Sequence, residues 1–157
     1  MRRATMTRAV LAAMVVAGAL AGPVAGASAS KASIKAAVKS YNSRILIAEG
    51  HVVSAIGEYK MSKNPAGVES ALTSSIEVFQ SLRAKISHQS AAKPKVKAGK
   101  AKLIKGLETV AVAYERLKTA FADRQTSPEA AQAAVDSSLT AVKAGRKELS
   151  EGVKLLR

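Results

Sequence analysis

Six lysines lie between Lys93 and Lys105 in the stretch AAKPKVKAGKAKLIKG, with no acidic residue among them. An ammonium group is a compact point charge, suited to diffuse attraction toward an anionic surface or polymer rather than to bidentate recognition, for which arginine is better shaped. On a helical wheel of residues 93–107, Val96, Leu103 and Leu107 set the inward direction. Lys95, Lys102 and Lys105 then point outward over one sector, and Lys93, Lys97 and Lys100 lie on the other flank. The charge therefore wraps the helix.

Other chemistry is sparse. The chain has no cysteine, so a thiol nucleophile is excluded, and it has no Gly-rich phosphate loop and no H-E-x-x-H or Glu-x-x-His pairing of the kind used by metal bundles. These absences point to a binding protein and not an enzyme. The two histidines are His51 and His88. If the first two helices fold back around Asn64, they stand on the order of 15 Å apart at 1.5 Å per helical residue, too far to share a metal. The same fold-back brings His88 near Tyr41. Tyrosine and histidine are both haem axial ligands, so this pair is the one candidate cofactor site; the competing reading is a core tyrosine beside a surface histidine. Tyr59 and Tyr114 read as core rings with a hydroxyl at a wet edge.

These groups must be positioned by helices. From Ser33 to Tyr59, Ile34, Val38, Tyr41, Ile45, Ala48, Val52, Ile56 and Tyr59 recur at spacings of three and four, one face of an amphipathic helix. Asn64-Pro65 ends it and starts a second, with Val68, Leu72, Ile76, Phe79, Leu82 and Ile86 inward and an end between His88 and Ala92. A third carries Val96, Leu103, Leu107, Val110, Tyr114, Leu117 and Phe121; a fourth follows Ser127-Pro128 with Ala131, Val135, Leu139, Val142, Leu149, Val153 and Leu156. No strand signal appears. The expected architecture is all-α, an up-down-up-down antiparallel four-helix bundle.

The halves align. At an offset of 63, Pro65 matches Pro128, Ser74-Ser75 matches Ser137-Ser138 and Arg83 matches Arg146; at an offset of 62, Lys31 matches Lys93, Lys35 matches Lys97 and Tyr59 matches Phe121. The bundle reads as a helical hairpin written twice, residues 30–91 and 92–157.

Upstream, Arg2, Arg3 and Arg8 precede the apolar run from Ala9 to Leu20 and the small-residue stretch VAGASAS, the order of a secretory signal peptide. The run is shorter than the roughly 20 residues of a membrane span. Residues 1–29 are expected to be removed after Ala29, or alternatively after Ala27; Met6 is an alternative start, and ordinary export fits better than the twin-arginine route. Cleavage leaves 22 basic and 11 acidic residues, with no cysteine for a lipid anchor or disulfide. The mature chain is expected to be soluble and secreted or held in the cell envelope.

An antiparallel bundle allows its charges to be sorted by end. Segments 30–46, 78–106 and 144–157 form one pole, with sixteen basic residues against Glu148 and Glu151; the other pole has six basic and nine acidic residues. Cations near helix C-termini suit the helix dipole, but those at the starts of helices one and three oppose it. The expected polyanion contacts are Lys31, Lys35, Lys39, Lys93, Lys95, Lys97, Lys100, Lys102, Lys105, Arg146 and Lys147. A wall polymer, an anionic lipid or nucleic acid fits this pole, although no aromatic residues are interleaved for base stacking and export argues against genomic DNA. A helical adaptor with a protein partner would explain the repeat but not the lysines.

Overall fold

The computed structural model describes residues 27–123 and 128–157. Four α-helices make up nearly all of that: α1 Ala27–Ser62, α2 Ala66–Ser87, α3 Pro94–Ala122 and α4 Pro128–Leu155. The expected leader falls outside the described residues except for 27–29, which belong to the first turn of α1. The expected turn before Pro128 lies outside them as well. Each helix packs on its neighbours in the chain, α1 on α2, α2 on α3 and α3 on α4, as in an up-down bundle. The antiparallel course is visible at one end, where Lys31 Nζ of α1 donates to the main-chain oxygen of Arg157 at 2.9 Å.

Local chemistry sets the helix ends. Lys63 takes a left-handed conformation, φ 58°, and its N–H reaches the Tyr59 carbonyl at 2.8 Å. Asn64 Oδ1 then accepts the Ala66 N–H at 3.0 Å and caps α2. α3 starts on extended Lys93 with Pro94 at its first position, and the Lys97 N–H bonds the Lys93 carbonyl at 2.9 Å. Residues 94–99 are therefore helical from the first turn, because proline's fixed φ suits that turn and its missing N–H had no partner to lose.

The apolar stripes meet in one core. Every residue expected inward on α2 and α3 is buried. On α1 the stripe is only half covered: Ile34, Ala48 and Val52 are buried, whereas Val38, Tyr41, Ile45, Ile56 and Tyr59 are partly exposed. Length explains part of this, because α1 has 36 residues and α2 only 22. Met61 at 83% and Ile47 at 58% exposure leave α1 apolar on its outer side too.

The closest helix pair is α3 with α4, and glycine makes it so. Along α3 the buried seam alternates small and large, Gly99, Leu103, Gly106, Val110, Ala113, Leu117, Ala120; α4 answers with Ala131, Val135, Ser138, Val142, Gly145, Leu149, Gly152, Leu156. Four of the large residues sit on a glycine opposite: Leu149 on Gly106, Val110 on Gly145, Leu103 on Gly152, Leu156 on Gly99. A Cβ on Gly106 would come within 2.7 Å of the Gly145 carbonyl oxygen, so the main chains themselves touch. At the aligned positions the first hairpin carries Ala37, Arg44, Leu82 and Gln89 in place of the glycines. There Ser75 forms the bridge, its hydroxyl donating to the Ala48 carbonyl of α1 at 3.2 Å.

Two glycine-to-alanine changes should therefore differ in sign. Gly106→Ala gains up to about 1 kcal/mol of helix propensity but overpacks the α3/α4 contact at a cost of about 1–3 kcal/mol, so urea unfolding should show net destabilisation. Gly57→Ala, where no atom lies within 4 Å of the added methyl, should stabilise by up to about 1 kcal/mol. Equal signs would mean that α3 and α4 stand apart.

Candidate anion-binding pole

Helix polarity builds this end of the molecule. α1 and α3 begin here without an acidic residue in their first turns, whereas α2 and α4, which begin at the opposite end, have Glu69 and Glu129. The C-termini of α2 and α4 share this end and offset the dipoles of α1 and α3, so its positive potential comes from the side chains.

The eleven sequence-predicted residues divide by what they touch. Lys102 bonds Glu151 at 2.5 Å and Glu148 at 2.9 Å, and Lys105 bonds Glu148 at 3.1 Å, a ladder that laces α3 to α4. Hydrogen bonds donated to Glu151 and then to Glu148 hold the Lys102 ammonium above its ordinary range; Lys102 and then Lys105 hold Glu148 below its own, and Lys102 does the same to Glu151. The two acids of this pole are thereby both engaged. Lys100 donates to the Ser87 and Gln89 carbonyls at 2.7 and 2.6 Å, satisfying acceptors that α2 leaves open at its C-terminus. These three lysines fasten helices together, and the two flanks of the wheel correspond to two neighbours, α4 on one side and α2 on the other.

Lys93, Lys95 and Lys97 stand exposed around the first turns of α3, and Lys39 and Lys147 are exposed on α1 and α4. Lys31 and Lys35 gather near Arg157. Burial first, then repulsion from Lys31 and Arg157, lowers the Lys35 ammonium below its ordinary value. These three cationic side chains gather round the Arg157 main-chain oxygen, which accepts from Lys31, with no acidic side chain among them.

Arg146 does not join the pole's outer surface. It turns into the seam between α4 and α1 and bonds Glu49 Oε1 at 2.6 Å. Glu49 is only 9% exposed. The guanidinium also bonds the buried Tyr114 hydroxyl, which makes a three-helix polar link of Glu49, Arg146 and Tyr114. Burial, reinforced by the Glu49 carboxylate and partly offset by Arg146, pushes the Tyr114 phenol up to about 12. Tyr114 is thus a buried group within a polar link and not a ring with its hydroxyl at a wet edge. Because the native state favours the neutral phenol, its contribution to stability is complete below the ordinary tyrosine range and is lost as pH rises through about 12.

Beside this link runs a cleft. Backbone contact between α1 and α4 is nearly absent among the described residues. The resulting slot, about 40 Å³, is lined by Val38, Asn42, Ile45, Leu46 and Glu49 of α1 and by Arg146, Leu149 and Val153 of α4, over a floor that includes Phe79, Leu82, Leu103 and Leu107. Its volume is far below the roughly 300 Å³ of a small-ligand pocket. Neither Tyr41 nor His88 lines it. Tyr41 lies under Arg44 at 4.8 Å and Lys85 at 5.6 Å, and exposed His88 caps the end of α2.

Glu49 and the heptad-spaced glycines were missed in the sequence reading. Glu49 continues the stripe of Val38, Asn42 and Ile45 at spacings of four, three and four, which was a usable signal. No protein-family model, curated protein or solved structure matches this chain.

The polar link has a direct test. Arg146→Met leaves a carboxylate facing an apolar seam and should cost about 2–3 kcal/mol in urea unfolding, less than a fully buried pair because both side chains keep some solvent. Adding Glu49→Leu should recover most of the loss; a double variant no better than the single would show that the pair is not the link between α1 and α4.

Proposed function

We propose that this chain is an exported binding protein whose cationic pole contacts a polyanion at the cell envelope or outside the cell. The leader-like N-terminus supports export, and the alignment of the halves supports an origin by duplication of a hairpin. The observation that carries the binding reading is the set of cations with no acid to meet. Glu148 and Glu151 are engaged by Lys102 and Lys105, which leaves Lys39, Lys93, Lys95, Lys97 and Lys147 exposed, with half-buried Lys31 and Lys35 beside them and no acidic side chain opposite. Helix stability alone does not favour that arrangement, because cations in the first turns of α3 oppose its dipole.

The contact surface is therefore narrower than the lysine tract. Lys93, Lys95 and Lys97, with Lys31, Lys35, Lys39 and Lys147, meet the polymer; Lys100, Lys102, Lys105 and Arg146 hold the helices that present them. A glycerol-phosphate wall polymer fits the spaced point charges and the exported location. No catalytic role is assigned.

Retention on immobilised teichoic acid, measured against salt, tests this. Binding should fall steeply between low and moderate ionic strength, and Lys93→Gln/Lys95→Gln/Lys97→Gln should weaken it and flatten its salt dependence. Lys102→Gln/Lys105→Gln should lower the unfolding midpoint while leaving the salt dependence largely as it was. Binding that ignores salt, or a triple variant that binds like the parent, would sink the reading and favour a helical adaptor with a protein partner.

A further inference from the structure

The apolar cleft and the cationic pole are parts of one feature. All four helices line the slot with residues from the basic half of the bundle or its border. On α1 the lining runs Val38, Asn42, Ile45 and Glu49, and stepping back three residues from Val38 on that stripe reaches Lys35. On α4 the lining runs Arg146, Leu149 and Val153, and stepping on four residues reaches Arg157. Both walls end in a cation at the same end of the molecule, where Lys31 Nζ touches the Arg157 main chain at 2.9 Å. The opposite end of the slot is closed by the Glu49 and Arg146 pair. From Val38 to Glu49 the lining spans about 16 Å along α1 at 1.5 Å per residue.

We propose that the seam between α1 and α4 is a binding site for a single-chain anionic amphiphile, its acyl chain lying among Val38, Ile45, Leu46, Leu149 and Val153 and its charged head among Lys31, Lys35 and Arg157. The head-group half of this site rests on the polyanion reading above; the acyl half rests on the cleft. In the closed form the slot is too narrow for a chain, so binding separates α1 from α4. That motion breaks the Lys31 bond to the Arg157 main chain and strains the Glu49–Arg146 pair, but little backbone packing opposes it and α3 and α4 remain joined through their glycines. Repulsion from Lys31 and Arg157, which adds to burial in lowering the Lys35 ammonium, is offset when an anionic head arrives. An acyl chain there also covers Val38 and Ile45, which α2 and α3 leave partly exposed.

The test uses lysophosphatidylglycerol below its micelle-forming concentration, titrated calorimetrically into the protein. One molecule per chain should bind, with affinity rising about fourfold per methylene from the decanoyl to the myristoyl form. Glycerol phosphate, which has the head alone, and lysophosphatidylcholine, which has no net charge, should both bind much more weakly. Val38→Trp and Val153→Trp fill the slot from opposite walls; each should lose about tenfold or more in affinity for the myristoyl form, one order of magnitude on the binding scale, while keeping parental retention on teichoic acid. Lys31→Gln/Lys35→Gln should weaken both ligands. Affinity independent of chain length in the parent protein overturns the cleft proposal without needing any variant, as does tight binding by a tryptophan variant that still unfolds cooperatively. A parent protein that binds the lysolipid with this chain-length dependence but ignores teichoic acid would uphold the cleft and overturn the polymer reading.

Discussion

At Gly106 and Gly145 the main chains of α3 and α4 touch, and a methyl group on either would strike the opposite helix. Much of the arrangement follows from that contact. Leu103, Val110, Leu149 and Leu156 each fill the space above a glycine, so the pair interlocks as knobs over flat sites and not as two bulky ridges. The closeness brings Lys102 and Lys105 within reach of Glu148 and Glu151 and turns two acids of the α4 end into a brace. With α3 and α4 this close, α2 rests on α3 and α1 on α2, and α1 is left with no comparable contact on its far side. The open seam is the other face of the tight one.

Charge and packing are distributed by the same logic. Cations that lie between helices find partners: Lys100 at the carbonyl end of α2, Lys102 and Lys105 at the acids of α4, Arg146 at Glu49. Lys93, Lys95 and Lys97 at the start of α3 face outward, and at the seam's mouth Lys31 bonds the Arg157 main chain while Lys31 and Arg157 both repel Lys35. The buried link of Glu49, Arg146 and Tyr114 compensates the desolvation of each charged group by pairing it, and it joins α1 to α3 and α4 where apolar packing is thin. The aromatic pairs reinforce the frame, Phe79 on Tyr114 at 5.8 Å and Tyr59 on Phe121 at 5.0 Å, both edge to face.

Much of the fold was legible because helical period is a strong signal when the buried stripe is continuous. Val68 to Ile86 and Val96 to Phe121 read inward and are buried without exception. α1 was read less well for a physical reason: its apolar residues run round the circumference, so Ile47 and Met61 are exposed while the small Ala37 and Ala55 are buried. Of the candidate site, the pole was legible from antiparallel topology alone. Arg146 was not, since a residue near a helix C-terminus is placed by the neighbour it faces, and Glu49 lies 97 positions away in the chain.

The sequence by itself determined four helices, their turns at Asn64-Pro65 and before Pro94, and the gathering of cations at one end, because periodicity, capping and alternation of direction are local or nearly local properties. Only the tertiary structure decided which lysines are braces and which face solvent, that two glycines on each of α3 and α4 bring their backbones into contact, and that α1 and α4 enclose an apolar slot. Those outcomes depend on the distance between helices, and that distance is set where two side chains from remote parts of the chain compete for the same space.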